Sequence, residues 1–297
     1  MSITITQLRA FVAVVRTESV QRAARQLFLT QPSVSAALAA LGRELQTPLV
    51  ERSGRGIRLT ASGSAFAPYA QEVLGLLERG QDAAREAARP ELGRVRIVAV
   101  NTAGEYLLPP LIQAYRGREP GTELLLEIGN RKAVLEKVAS WHADIGIAGR
   151  PLSKDVAGRP FLPNELIVTG RTVPDDLAAA TWLLREEGSG TRATTEAYLA
   201  ERGIEPQEIL TLGSNGAIKQ ALLLGLGITL VSEHAIMREL ATGDLIRIPA
   251  PGTPIKRPWY ALHSQRIPPR PAVQRFLRFL HSPAAREAIE SALRLPA

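Results

Sequence analysis

Residues 8–45 read LRAFVAVVRTESVQRAARQLFLTQPSVSAALAALGREL, and the spacing of their apolar residues decides the fold of the amino-terminal part. Leu8, Phe11, Val12 and Val15 fall at i, i+3, i+4 and i+7, which predicts a helix over residues 4–17. Ser19 can cap a second short helix, Val20–Leu27, with Ala23, Ala24 and Leu27 turned inward. Leu29–Thr30 makes a tight connection. Thr30 then caps a third helix whose first turn holds Pro32, where the missing N–H costs nothing. Val34, Leu38, Leu41 and Leu45 form one buried stripe, so Ser33, Ser35, Ala36 and Ala39 face out. Helix, tight turn, helix, with an outward face of small residues, is the helix-turn-helix arrangement.

Residues 48–60 (PLVERSGRGIRLT) place two short apolar runs, Leu49–Val50 and Ile57–Leu59, on either side of Ser-Gly-Arg-Gly. That pattern predicts a hairpin, a basic wing carrying Arg52, Arg55 and Arg58. The first 60 residues hold eight Arg against three Glu, a balance of +5 out of +7 for the whole chain. A small basic module on a nearly neutral body points to a piece that binds a polyanion. From Thr60 to Arg89 the pattern becomes one long helix, bent near its start by Pro68. Phe66, Tyr69, Val73, Leu76, Gly80, Ala83 and Ala87 alternate three and four apart, a seam at heptad spacing that predicts a dimer. The alternative for the seam is packing against its own body.

Pro90–Gly93 breaks the helix, and strands then alternate with helices. The first lobe reads as RVRIVAV (94–100), a helix through LLPPLIQAY (107–115), TELLLEIG (122–129), a helix over 131–142 and DIGIAG (144–149). A second unit follows with ELIVTG (165–170), TWLLRE (181–186), a helix after Gly188-Ser-Gly, a helix from about Gly216 to Leu224 and GITLVS (227–232). One more strand (258–264), a Pro-rich crossover (Ile267–Pro271) and an amphipathic helix close the chain. Such alternation argues for parallel sheet with crossover helices. The 297-residue length fits two domains, or two plus a small third, at about 150 residues each. Hydrophobic residues at 45% and charged residues at 22% exclude a disordered or fibrous chain. The absence of cysteine excludes disulfides, thiolate zinc sites and cysteine nucleophiles. The amino terminus lacks a basic stretch followed by an apolar core, and no run approaches the roughly 18 apolar residues of a membrane span. The expectation is a soluble cytoplasmic protein with no membrane partner.

Residues 6–85 resemble the DNA-binding module of LysR-type transcriptional regulators, the winged helix-turn-helix proteins of bacteria. The match runs through the stretch quoted above and PLVERSGRGIRLTASG (48–63), and the order of the remaining parts fits as well. The resemblance implies an α+β multidomain fold with a winged helix-turn-helix at 1–60 and a linker and dimerisation helix at 61–90. It implies an effector-binding domain at 91–297, a two-lobed α/β body similar to periplasmic binding proteins. Lobe I takes about 91–163 plus 266–297, and lobe II about 164–265. Ala36 or Ala37 stands where family members often carry a long polar residue, and Gly42 where they carry Glu. The third helix is thus poor in donors, which places more of the burden on Gln31, Ser33, Ser35 and the wing. The stretch between Leu166 and Trp182 is also shorter than in the family. Within the family, NTAGEYLLP (101–109), GSGTR (188–192) and SNGAIKQALLLGLGITLVS (214–232) look most like regulators of carbon-fixation operons.

The resemblance implies double-stranded DNA with a dyad operator as partner, a dimer or tetramer of this chain, and RNA polymerase. Gln31, Pro32, Ser33 and Ser35 would reach base edges or the groove, and Arg52, Arg55 and Arg58 would contact phosphate or the minor groove. Tyr69, Val73, Leu76, Ala83 and Phe66 would join two copies. In open α/β sheets ligands sit beyond the carboxyl ends of strands, and a cleft between lobes adds a closable pocket. The residues so placed are Asn101, Thr102 and Ala103, then Gly129 and Asn130, then Gly149 and Arg150. The second lobe adds Ser189, Gly190, Thr191 and Arg192, with Asn215 and Gly216. Several precede helix amino termini, which favour anions, and Arg192 can clamp carboxylate or phosphate. The expected effector is a small anionic metabolite, phosphorylated or not, with no cofactor and no metal.

Two other classes compete. An enzyme would need machinery that the residues do not supply: no Lys follows GSGTR as a P-loop requires, and Ser189 has no neighbouring base. The four histidines (142, 234, 263, 281) are scattered, none at metal-ligand spacing from another. A solute-binding protein would need an export signal and would have no use for residues 1–89. A DNA-binding regulator with no enzyme activity is the reading that uses every part.

Overall fold

Thr4 starts the first helix with a capping box: its hydroxyl accepts from Gln7 N (3.2 Å) and the Gln7 side chain accepts from Thr4 N (2.7 Å). The computed structural model of the chain describes residues 2–53, 56–150 and 155–293. These form two units: one runs through Ala84 and includes Ser140–His142, and the other holds Arg85–Ala139 and the chain from Ala143 on.

In the first unit, α1 (Ile5–Thr17) is followed by α2 (Val20–Gln26), capped by Ser19, and α3 (Gln31–Glu44), capped by Thr30. Leu8, Phe11, Ala23, Val34, Leu38 and Leu41 close one core, and each fully buried Leu or Phe stabilises it by about 1.5–3 kcal/mol. β1 (Val50–Ser53) and β2 (Gly56–Leu59) pair antiparallel with Glu51 opposite Arg58, the expected hairpin. Arg55 lies outside the described residues.

α4 (Ala61–Ala88) carries Pro68 inside it without ending there. Its two sides differ. Ala67, Ala70 and Leu74 are buried in the core of the first unit. Tyr69, Val73 and Leu76 are 67%, 47% and 44% exposed, and Gly80, Ala83 and Ala87 are exposed as well. Phe66 departs from the expected seam: its ring lies 5.6 Å from that of Phe11, so it packs on the head's own core. Gly75 is required where it stands, because a Cβ there would come within 2.5 Å of the Ser140 carbonyl oxygen. Trp141 covers this point with its indole N–H 3.3 Å from Glu72 Oε1 and the Arg79 guanidinium 4.7 Å from its ring.

The second unit begins with β3 (Gly93–Val100), a π-helical turn (Ala103–Leu107), α5 (Leu108–Arg118), β4 (Thr122–Gly129), α6 (Arg131–Ala139), β5 (Ile145–Ala148) and β6 (Val156–Leu162). Its second lobe holds β7 (Glu165–Gly170), β8 (Thr181–Arg185), α7 (Gly190–Glu201), β9 (Glu208–Leu212), α8 (Asn215–Leu223), β10 (Thr229–Ser232), α9 (Met237–Thr242), β11 (Ile246–Arg247) and β12 (Ile255–Lys256). β13 (Trp259–Ser264), α10 (Pro271–Leu280) and α11 (Pro283–Leu293) complete it.

The sheets are mixed where parallel pairing was expected. β3 runs parallel to β4 and β5, but β13 is antiparallel to both β5 and β6 in the order β4-β3-β5-β13-β6. In the second lobe β7 pairs antiparallel with β10, β11 and β12, while β8 and β9 are parallel. The lobe boundary also moves. Residues 259–264 were expected in lobe II, yet β13 belongs to the first lobe's sheet. The chain crosses between lobes at Asn164 and Arg257, whose backbones join through Arg257 N–H to Asn164 O at 2.8 Å, ahead of the Pro-rich segment at 267–271. Asn164 Nδ2 donates back to Arg257 O at 3.0 Å.

At the starting ends of β3 and β5 sits a buried charge cluster. Arg270, 6% exposed, ion-pairs with Glu86 and donates to Asp144 Oδ2 (3.0 Å) and Arg94 O (2.9 Å). Asp144 also accepts from Arg96 N at 2.9 Å.

Candidate functional site

The head presents Gln31, Pro32, Ser33 and Ser35, all exposed on the first turns of α3. Ser33 is partly committed to the helix start: its Oγ lies 2.8 Å from Thr30 Oγ1, and Thr30 Oγ1 accepts from Ser33 N at 3.3 Å. On the wing Arg52 and Arg58 are exposed. Arg58 Nε lies 2.9 Å from Glu51 Oε1, with 67% and 47% of the two side chains exposed. A pair so solvated is worth at most about 1 kcal/mol and yields readily to a phosphate.

The second unit has a cleft between its lobes, at the carboxyl ends of β3, β4 and β5. Eight of the thirteen residues expected there line it: Asn101, Thr102, Gly129, Asn130, Gly149, Ser189, Gly190 and Thr191. Ser189 is the N-cap of α7, so the first turn of that helix faces the cleft. Five others do not line it. Ala103 is buried in the π-helical turn. Gly216 and Arg150 are exposed. Asn215 is buried behind the lining, where Nδ2 donates to Thr102 Oγ1 at 3.1 Å. Arg192 is turned back on its own helix, with Nε 2.7 Å from Glu196 Oε1 and Nη1 donating to Arg185 O at 3.1 Å. The guanidinium groups that do line the cleft belong to other arginines.

Those arginines are Arg131, Arg185 and Arg257, none singled out from the sequence. Arg185 is 6% exposed and is neutralised by Glu186, with contacts of 2.8 and 3.0 Å. It also donates to the Asn215 side chain and, with the Asn101 amide oriented so that it donates to Gly129 O (3.1 Å), to Asn101 at 2.8 Å. Asn101, Thr102, Arg185 and Asn215 thus tie the two lobes together beneath the cleft. Arg257 donates from Nη1 to Gly190 O at 2.7 Å and to Thr194 Oγ1. Burial, and then the neighbouring Arg131, push its guanidinium below the ordinary value. Arg131 donates from Nη2 to Arg150 O at 2.8 Å. Pro258 follows Arg257 and favours its extended backbone, but only the crossover geometry brings its side chain into the cleft. No sequence signal marked it.

Asn164, also in the lining, accepts at Oδ1 from Ser232 Oγ (2.5 Å) and lies 3.1 Å from His234 Nδ1. Burial lowers the His234 pKa, against an opposing pull from Glu233. Among the described residues no group of His, Cys, Asp or Glu side chains could hold a metal ion, and no helix is long and apolar enough to cross a membrane.

Comparison with known proteins agrees with this division. Residues 5–64 match the bacterial regulatory helix-turn-helix family of lysR type, and residues 88–285 match the LysR substrate binding domain. The HTH-type transcriptional activator CmpR of Synechocystis is 33% identical over 93% of this chain and 94% of its own length. A RuBisCO operon transcriptional regulator of Acidithiobacillus ferrooxidans is 33% identical over 95% of this chain and 94% of its own. Among solved structures, the CcmR regulatory domain of Synechocystis in complex with 2-PG is similar at TM-score 0.59 and 30% identity, covering 63% of this chain and 95% of that one. Full-length CbnR complexed with its target DNA shares the fold at TM-score 0.66 and 23% identity, over 96% of this chain and 99% of that one. With both family models matched and full-length relatives among transcriptional regulators, this chain belongs to the LysR family of DNA-binding transcriptional regulators.

Proposed function

We propose that this regulator reads a dyad operator through α3 and the wing, as a dimer joined along α4, and that a small phosphorylated anion in the interlobe cleft controls it. Gln31, Pro32, Ser33 and Ser35 take base-edge or groove positions, and Arg52 and Arg58 take phosphates. Tyr69, Val73, Leu76 and Ala83 supply the face between two copies, consistent with the exposure of three large apolar side chains on that stripe. Phe66 is left out of that face. It acts in the cytoplasm, where operators are, and the cleft binds and releases its ligand without transforming it.

The observation that carries the effector reading is the lining itself. Hydroxyls and amides from both lobes, the first turn of α7 and three guanidinium groups converge on one cleft, a set suited to an oxyanion. The ligand of the similar CcmR domain, 2-PG, is the first candidate, and targets among carbon-fixation genes accord with the relatives. The test is a footprint on DNA upstream of carbon-fixation genes, with and without 2-PG, using wild type and Thr102→Val. The expected outcome is a protected dyad whose boundaries shift with 2-PG in wild type and shift less in Thr102→Val. A footprint that 2-PG leaves unchanged over the millimolar range contradicts the effector assignment.

A further inference from the structure

The cleft's charge does not balance. Arg185 is matched by Glu186, but Arg131 and Arg257 both line the cleft, near enough for the charge of one to act on the other, with no carboxylate partner among the described residues. Two guanidinium groups held close at reduced solvent exposure repel, and such an arrangement persists when an anion completes it. Arg257 is also half used. Its Nη1 is committed to Gly190 O and Thr194 Oγ1, while Nε and Nη2 have no acceptor among the described residues. That free pair is the edge by which a guanidinium grips two oxygens of one anion. It lies against two glycines: a Cβ at Gly149 would come within 3.1 Å of Nε, and one at Gly190 within 3.1 Å of Nη2. Side chains at either position would crowd the edge that the glycines leave open.

Position adds a second property. Arg257 belongs to the crossover between lobes, its N–H bonded to Asn164 O at 2.8 Å on the other crossover strand. Its guanidinium reaches the first turn of α7 in lobe II, and the Arg131 that opposes it begins α6 in lobe I.

Building on the effector reading above, we propose that Arg257 is the specificity-determining residue of the cleft: it grips a doubly charged oxyanion through Nε and Nη2, shared with Arg131, and holds the crossover strands as it does so. The chemical class is a phosphate, phosphomonoester or sulfate dianion; singly charged anions leave one guanidinium uncompensated.

The test measures binding of inorganic phosphate, sulfate, nitrate and 2-PG to the full chain by titration calorimetry, in wild type, Arg257→Gln and Arg257→Lys. Wild type is expected to bind phosphate and sulfate at least about tenfold more tightly than nitrate. Arg257→Gln is expected to weaken both dianions by roughly 10–100-fold, the scale of a lost charge-assisted bidentate contact. Arg257→Lys keeps the charge without the fork and should fall between them. In parallel, phosphate should slow hydrogen exchange of the residue-257 amide in wild type and not in Arg257→Gln. Phosphate and 2-PG binding within twofold of wild type in Arg257→Gln overturns the assignment of Arg257 and leaves the effector reading standing. Failure of wild type to bind either phosphate or 2-PG overturns both.

Discussion

Two arginines in the second unit, Arg270 buried and Arg257 half-buried, teach opposite lessons. At the starting ends of β3 and β5, Arg270 sits between Glu86 and Asp144, ion-paired with both and donating to Arg94 O. At the finishing ends of the same strands, Arg257 faces Arg131 and no carboxylate. A desolvated charge is tolerated only where partners compensate it. The first end is therefore complete as it stands and works as structure, tying the last turn of α4 to the sheet. The second end leaves two guanidinium charges without a carboxylate among the described residues, which supports the proposed anion site.

The largest expected effect breaks the complete end. Arg270→Met leaves the buried Glu86 without the cation it pairs with and Asp144 with Arg96 in place of two guanidinium groups, and should destabilise the second unit by about 3 kcal/mol, read as a lower denaturant midpoint. The same measurement on Arg257→Gln sharpens the contrast. Losing bonds to Gly190 O and Thr194 Oγ1 is offset by relief from Arg131, so the ligand-free change should stay within about 1 kcal/mol. A loss as large as that of Arg270→Met would make Arg257 a structural residue.

Arg52→Ala tests the exposed charge of the head against the buried charge of the cleft. It should weaken cognate and random duplex alike and lower the salt slope by about one unit; selective loss on cognate DNA would contradict a phosphate role.

The smallest effect is at His234. Its pKa is lowered in the fold, by burial, from an ordinary value near 6.5. The unfolded chain therefore takes up the proton first, and stability present above pH about 6.5 falls as pH drops through that value. His234→Asn keeps a donor for Asn164 and should make the acid fall in Tm shallower. His281, lowered by burial and by Arg159 and Arg286, keeps part of the slope.

The head was legible in the sequence because its signals are local. Capping at Thr4, Ser19 and Thr30 and a 3.6-residue stripe need only neighbours. The exposed stripe of α4 was legible for the same reason, except Phe66, whose partner Phe11 lies 55 residues away in sequence. β6 escaped notice because VAGRPFL reads as a breaker; as the edge strand of its sheet it can carry Pro160, opposite an irregular register at Trp259–Tyr260. The crossover at Asn164 and Arg257 and the direction of β13 depend on pairings nearly a hundred residues apart, and no local period encodes them. In the cleft, residues following strands could be read from the alternation of elements. Arg131 and Arg257 could not, since their role comes from a convergence in space.

An anion that controls the protein from the interlobe cleft must protect the cleft's own backbone when it binds. Hydrogen exchange of the full chain with and without saturating 2-PG tests this most directly. Protection is expected to concentrate at Asn101–Thr102, Asn130–Arg131, Ser189–Thr191 and Arg257. Protection confined to other surfaces, with those four segments unchanged, would contradict it.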